Sequence, residues 1–398
     1  MTTPDWVAVV VFGGIGLVWL GIALLGSLGV LLTRRLKRFE PLEEPEPVTI
    51  VIAARDEADR IGTTVDHLLA IRSPRVEIVI IDDRSSDETA SIVEAKAESD
   101  PRLTLIRITE LPDDWLGKPH ALHVGTASVT TPWILFSDAD TWINDHALAR
   151  SLRAATSSRR PIDHVAVLPG YDASSALGIA GTLALYIHFL VRCAAVNLGL
   201  HLFPVGVGAF NLVRADAYRA SGGHEALPFE VVDDVKLALL VQREGRKRGR
   251  GHSLVLSGPE SVHIDWRADV RTVMALIEKN FFAMARFSAL LASVLITSGF
   301  TALAGSVIAP VVAMISPEPL VRIACWFAFV AWLATGLPMA VVARQFGWSP
   351  LGGLISPLMA WVAPVALWRS ARATLKAGGV RWRGRLYPLD ELRRGQVW

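Results

Sequence analysis

A chain of 398 residues is long enough for one large or two ordinary domains with a sizeable core. Its 52% hydrophobic content and positive mean hydropathy are unusual for a wholly soluble protein, and a net charge of only +2 argues against a nucleic-acid partner. Cys193 and Cys325 stand far apart in apolar surroundings, which reads as two packed free thiols rather than a disulfide framework.

Residues 6–32, WVAVVVFGGIGLVWLGIALLGSLGVLL, carry no charge and are long enough to cross a bilayer. The segment lacks the basic start of a cleavable signal peptide, and its apolar stretch is too long for one. Arg34, Arg35, Lys37 and Arg38 follow it and put the next domain on the cytoplasmic side. We read a membrane anchor with its N-terminus outside.

From about residue 46 to 260 the pattern is short strands alternating with amphipathic helices. VTIVIAA (48–54), VEIVIID (76–82), LTLIRI (103–108) and WILFSD (133–138) are strand candidates rich in Ile, Val and Leu. Ile61, Val65, Leu68 and Leu69 recur at helical spacing between the first two strands. A second helix follows Ser86, which is the expected cap. This alternation predicts a doubly wound α/β sheet, whose ligands bind beyond the carboxyl ends of its strands. Arg55-Asp56-Glu57, Asp82-Asp83 and Asp138-Asp140 all stand at such ends.

Residues 176–206 are apolar but interrupted by His188, Arg192, Asn197 and His201. They fit a helix lying at a membrane interface, or equally a buried helix of the α/β domain. After residue 280 the runs 287–315, 320–343 and 351–368 are again apolar, and the tail 369–398 is basic through Arg369, Arg372, Lys376, Arg381, Arg383 and Arg385. Three full spans would leave that tail outside. Either 351–368, broken by Pro357 and Pro364, is re-entrant, which we prefer, or 281–315 holds two short helices around TSG.

The acidic clusters carry the chemistry. Asp138 and Asp140 share one side of an extended chain and repel unless a neighbouring Lys or Arg, or a metal ion, sits between them. Oxygen-only ligands suit Mg2+ or Mn2+. Asp82 and Asp83 exceed what a helix cap requires and can accept hydrogen bonds from a ligand's N–H and O–H groups. Lys118, in LGKPH, is a point charge for phosphate or a solvated surface lysine, since no phosphate-binding glycine loop surrounds it. Glu230, Asp233 and Asp234 precede an amphipathic helix; they suit its dipole, and a carboxylate there is also a sufficient base for a hydroxyl nucleophile. The glycine-rich turn from Gly206 and the pair Gly222-Gly223 suit close approach of the backbone to a bulky polar ligand.

In this order the pieces resemble membrane-bound family 2 glycosyltransferases of the GT-A fold, with the hopene-associated and carotenoid-type lipid glycosyltransferases as the nearest likeness. VTIVIAARDEADRI is similar to the family's opening S-V-I-I-P-A-R-N-E-E, with Ala53 for Pro and Asp56 for Asn. IIDDRSSDET is similar to V-D-D-G-S-T-D-G-T, with Arg84 for Gly. FSDADT resembles the metal-binding D-x-D, and VVDDVKLA the E-D-x-x-L-A segment with Asp233 for Glu. WLGKPHAL, EKNFFAM and RWRGRLY are similar to the lipid-directed branch.

The resemblance implies an α/β GT-A domain over 46–280 between an N-terminal transmembrane helix and membrane helices over 281–368. It implies that Ala54, Glu57 and Asp83 contact the nucleoside and that Asp82 shapes their turn. Asp138 and Asp140 would bracket the diphosphate and its Mg2+ or Mn2+, with Asp140 the direct ligand; Asp234 would be the general base beside Asp233. The processive Q-x-x-R-W pattern is absent, HIDWRADV being the nearest stretch, which implies transfer of one sugar. The expected activity is inverting transfer from a nucleotide-sugar, a UDP-sugar in preference to GDP-mannose, to a membrane lipid or isoprenoid. The contrasting reading is a nucleotide-binding membrane receptor or transporter.

Overall fold

The computed structural model describes residues 1–72, 75–173, 175–200, 203–268, 274, 280–382 and 385–397. His201, Glu278 and Lys279 of EKNFFAM, the end of HIDWRADV, and Arg383 lie outside the described residues. Packing divides the chain into two compact units. One comprises residues 1–32, 172–194 and 267–393, and the other 33–171, 195–266 and the tail from 394.

The apolar unit begins with α1 (Thr3–Leu32). Among the described residues, four helices are long and apolar enough to cross a membrane: α1, Ala176–Asn197, Ala289–Ile315 and Pro319–Gln345. The TSG triplet lies inside the single helix Ala289–Ile315, so no break divides that segment. The third C-terminal run is instead a bent pair, Pro350–Met359 with Val362–Ala377, turning by 55° between Pro357 and Pro364. The helix at 176–197 joins this unit's core, with Ile179, Leu183, Ile187 and Leu190 packed with Met339, Val342 and Ala343. Gly29 permits its close approach to α1: a Cβ there would stand 2.3 Å from the Leu190 carbonyl oxygen.

The α/β unit is built on a seven-stranded mixed sheet. The strands along this part of the chain are β1 (Val48–Ala54), β2 (Val76–Asp83), β3 (Leu103–Ile108), β4 (Trp133–Phe136), β5 (Thr141–Ile143), β6 (Ile162–Leu168), β7 (Gly170–Ala173), β8 (Asn211–Arg214), β9 (His252–Ser257) and β10 (Val262–Ala268), of which β5, β10 and β7 form a separate small sheet. The large sheet runs β3-β2-β1-β4-β8-β6-β9. β1 pairs in parallel with β2 and β4, whereas β8 is antiparallel to both β4 and β6. Val48, Ile50, Val51 and Ile52 are all buried, as the central strand of a sheet covered on both faces demands.

The helices of this unit are α2 (Ala58–Leu69), α3 (Thr89–Ala97), α4 (Gly117–Thr126) and α5 (Ala147–Thr156). With the helix at 176–197 taken as α6, there follow α7 (Ala215–Ala220) and α8 (Asp233–Lys247). Ile61, Val65 and Leu68 of α2 are buried, as their spacing predicts. The start of α3 corrects one expectation. Ser86 does not cap it; Asp87 accepts from the Thr89 amide at 3.0 Å, while Ser86 donates to Asp56. A carboxylate outcompetes a hydroxyl for an amide near a helix N-terminus because its charge also meets the helix dipole.

Candidate active site

The parallel strands β1, β2 and β4 end on one edge of the sheet, and the segments that follow them are tied together. Ala54 pairs in register with Asp82. Asp56 accepts from the Ser86 amide at 2.8 Å and donates its own amide to Ser85 Oγ at 3.0 Å. The Glu57 amide donates to Thr89 Oγ1, and the Ala58 amide to Asp87. Asp82, buried, accepts from the Ser85 amide at 3.3 Å and so closes the turn after β2.

Two residues in these turns have left-handed backbone, Asp56 at φ 53° and Arg84 at φ 60°. Aspartate tolerates this conformation because its short side chain bonds locally; arginine has no such help. At Arg84 the strain is offset by a two-pronged ion pair, Nε to Asp83 Oδ1 at 2.8 Å and Nη2 to Asp83 Oδ2 at 2.9 Å. Gly117, opening α4, lies close by: a Cβ there would stand 2.4 Å from Asp83 Oδ2. Arg84 thus holds the Asp83 carboxylate, and Gly117 leaves the room that it occupies.

The second half of the site is a cavity lined by Lys118, Ser137, Gly208, Asn211, Asp233 and Asp234 among others. Lys118 Nζ lies 2.7 Å from Asp138 Oδ1 and 4.0 Å from Asp233 Oδ2. Burial works against its charge, but Asp138, Asp233 and Asp234 together hold its pKa well above the usual lysine range. The positive group beside Asp138 is therefore this lysine. Asp140 is pushed up to about 6, by burial first and then by Asp138 and Glu57. Its turn is fixed by Thr64 Oγ1 donating to the Ala139 carbonyl at 2.7 Å and by the Asp265 amide donating to the Asp140 carbonyl at 3.1 Å.

Asp233 and Asp234 open α8. Asp234 is raised to about 6 by burial and by Asp233, whereas Asp233 stays low despite its burial, because Lys118 and His224 favour its charged form. His224 Nε2 stands 3.8 Å from Asp233 Oδ2, and its Nδ1 is 3.0 Å from the Tyr218 hydroxyl. The glycine turn runs close against two of these acids. A Cβ on Gly206 would lie 2.0 Å from the Asp234 carbonyl oxygen, and one on Gly208 would lie 2.4 Å from Asp138 Oδ2.

Glu230, the third acid before α8, is separate from the cavity. It pairs with Lys236 at 3.7 Å, and both hold the Val397 peptide, Glu230 accepting its N–H and Lys236 donating to its carbonyl. Asn211 and His164 were not singled out from sequence. Only the glycines upstream hinted that the strand carrying Asn211 runs against the site.

Among the described residues no group of three or more His, Cys, Asp or Glu side chains is spaced to hold a metal alone. Asp138 and Asp140 nonetheless fit a hard divalent cation, both as oxygen donors and because Asp140 is burdened by like charge that a cation would relieve. Such a cation would need further oxygens from a bound diphosphate.

Residues 49–173 match the model of Glycosyl transferase family 2. Poly-beta-1,6-N-acetyl-D-glucosamine synthase of Staphylococcus epidermidis is 30% identical over 106 residues, 26% of this chain and 24% of that protein. The 4,4'-diaponeurosporenoate glycosyltransferase of Staphylococcus haemolyticus is 26% identical over 209 residues, 50% of this chain and 53% of that protein. The chain thus spans 24% and 53% of the length of these two curated relatives. Among solved structures, the mannosyltransferase PcManGT from Pyrobaculum calidifontis, in complex with GDP-Man and Mn2+, superposes with a TM-score of 0.50 at 17% identity, over 92% of this chain and 99% of that one. That likeness concerns the fold, which is GT-A-like.

Proposed function

We propose that this chain, whose residues 49–173 match the Glycosyl transferase family 2 model, transfers one sugar, with inversion, from a nucleotide-diphosphate sugar to a lipid or isoprenoid hydroxyl at the cytoplasmic face of a membrane. The observation that carries this reading is the cavity in which one ammonium, Lys118, stands among the carboxylates of Asp138, Asp233 and Asp234. A base and a cation are thereby available at one place, as displacement of a diphosphate by a hydroxyl requires.

In this reading the acceptor oxygen attacks the anomeric carbon while the bond from that carbon to the diphosphate oxygen breaks. The hydroxyl proton passes to Asp234, and the bonding pair leaves with the diphosphate. Lys118 moves its charge from Asp138 toward the leaving group. Ala54, Glu57, Asp82 and Asp83 form the nucleoside end. Asp138 and Asp140 would hold Mg2+ or Mn2+, which when bound supplies charge neutralisation at the diphosphate.

The lipid acceptor is supported by the apolar helices and by the relative named as a diaponeurosporenoate glycosyltransferase. The basic residues after α1 support a cytoplasmic site on a multi-pass protein. A UDP-sugar is the preferred donor, with GDP-mannose next. The test uses purified protein in detergent with native lipid extract, a panel of UDP- and GDP-sugars, and either Mg2+, Mn2+ or chelator. Metal-dependent release of nucleoside diphosphate coupled to a labelled lipid is expected. Donor binding without release, for every donor, would transfer the assignment to a nucleotide-binding receptor.

A further inference from the structure

His164 of β6 is wholly buried between two polar partners, Nε2 at 2.6 Å from Asn211 Oδ1 and Nδ1 at 3.0 Å from Ser253 Oγ. Ser253 Oγ also accepts from Gln242 Nε2 at 2.9 Å. At the other end Asn211 Nδ2 donates to the main-chain carbonyl of Asp234 at 3.3 Å.

The direction of every bond follows by elimination. The Asp234 carbonyl can only accept, so Asn211 turns its NH2 to it and its Oδ1 to His164. That oxygen also only accepts, so Nε2 carries the imidazole proton. Nδ1 of the neutral ring then accepts from the Ser253 hydroxyl, whose oxygen is left to accept from Gln242. Burial holds His164 neutral, at about 4. The chain begins and ends on α8, since Gln242 lies about two turns beyond Asp234. It braces the first turn of that helix from the sheet.

We propose that Asn211, oriented by His164, is a positioning residue for the catalytic carboxylate: by holding the Asp234 carbonyl it fixes the rotation of the first turn of α8 and with it the aim of the Asp234 side chain. Asp234 Oδ1 accepts from the Val235 amide at 2.8 Å, so the side chain follows the same turn that Asn211 holds. The inference rests on the reading of Asp234 as the base.

Asn211→Asp keeps the size but turns a second acceptor toward the Asp234 carbonyl. His164→Leu removes the orienting N–H, whereas His164→Gln can restore one through its terminal amide. Displacement of a catalytic group by about 1 Å costs on the order of 100-fold. We expect Asn211→Asp and His164→Leu to lower kcat roughly 10- to 100-fold while donor Kd stays within about two-fold, and His164→Gln to recover most of kcat. Equal rates for wild type and Asn211→Asp, or a loss of kcat matched by loss of donor binding, would overturn the inference. Should Asn211→Asp fail to fold, the His164 pair decides: equally slow Leu and Gln variants, or two of wild-type speed, count against it. Transfer by the wild type combined with either of those results removes this inference alone. No transfer by the wild type with any donor removes the reading of the site, and the inference with it.

Discussion

Lys118 Nζ lies 2.7 Å from Asp138 Oδ1, so the cation of the cavity is already engaged by the carboxylate read as a partner of the donor diphosphate. An arriving diphosphate competes with Asp138 for that ammonium, and a divalent cation competes with the ammonium for Asp138. Lys118→Met should therefore lower kcat/KM by about 100- to 1,000-fold, the cost of removing one preorganised charge from a developing anion. Lys118→Arg should lose less. Steady-state kinetics at saturating Mg2+ measures both, and a Lys118→Met variant within ten-fold of wild type would remove the lysine from the chemistry.

The proposed base makes transfer depend on pH in a stated direction. Burial, then the neighbouring Asp233, push Asp234 up to about 6, while Lys118 works against them. A general base acts as the carboxylate. The rate should thus rise about tenfold per pH unit below 6 and level off above it. Asp140 is also raised to about 6, so the limb needs assignment. Asp233→Asn removes a like charge from Asp234 and should shift the limb to lower pH. Lys118→Met removes an opposing charge and should shift it upward. Asp234→Asn should abolish transfer and leave donor binding nearly intact. A flat profile from pH 5 to 8, or full turnover by Asp234→Asn, is incompatible with this assignment.

Much of this site was legible in the sequence because its carriers are strong local signals. β1 and β2 are rich in Ile and Val, each interrupted by one polar residue, Thr49 and Glu77, and carboxylates stand just after β1 and at the end of β2, so Asp56, Asp82 and Asp83 announce a rim. What was not legible depends on contacts between distant segments. Nothing at Lys118 says that it meets Asp138 and Asp233, which lie on other elements. Gly206 and Gly208 read as room for a ligand, and nothing in their spacing says that Asp234 and Asp138 stand beside them. Asn211 shares its short strand with Arg214 and His164 follows Asp163, so neither stands out by itself, and only the sheet order β8-β6-β9 brings Asn211, His164 and Ser253 side by side.

Arg84 gives a prediction that separates backbone strain from ion pairing. Its left-handed backbone costs roughly 1–2 kcal/mol for a residue with a Cβ, and its two bonds to Asp83 offset that. Arg84→Gly loses both the strain and the bonds, so its thermal midpoint should stay close to wild type. Arg84→Ala keeps the strain without the bonds and should be the least stable of the three. With Asp83 released, Arg84→Gly should also bind the donor nucleoside several-fold more tightly, read by calorimetry as a lower Kd. Weaker binding would mean instead that the arginine itself contacts the donor.

The end of the chain is fastened beside the same helix. Glu230 and Lys236 hold the two sides of the Val397 peptide, and Val397 packs with the cluster that includes Leu237 and Val241 of α8. Burial pushes Glu230 up to about 7 even though Lys236 opposes it, so the carboxylate depends on its cation. Lys236→Met leaves a buried acid without its cation and should destabilise the α/β unit by about 3–5 kcal/mol. Adding Glu230→Gln removes the orphaned charge and should recover part of that, because the two residues form one coupled unit. Thermal denaturation of the two single variants and the double variant, followed with donor binding as a probe of this unit, measures the coupling. If the losses of the single variants simply add in the double variant, Glu230 and Lys236 contribute independently and the clamp on Val397 is not what holds them.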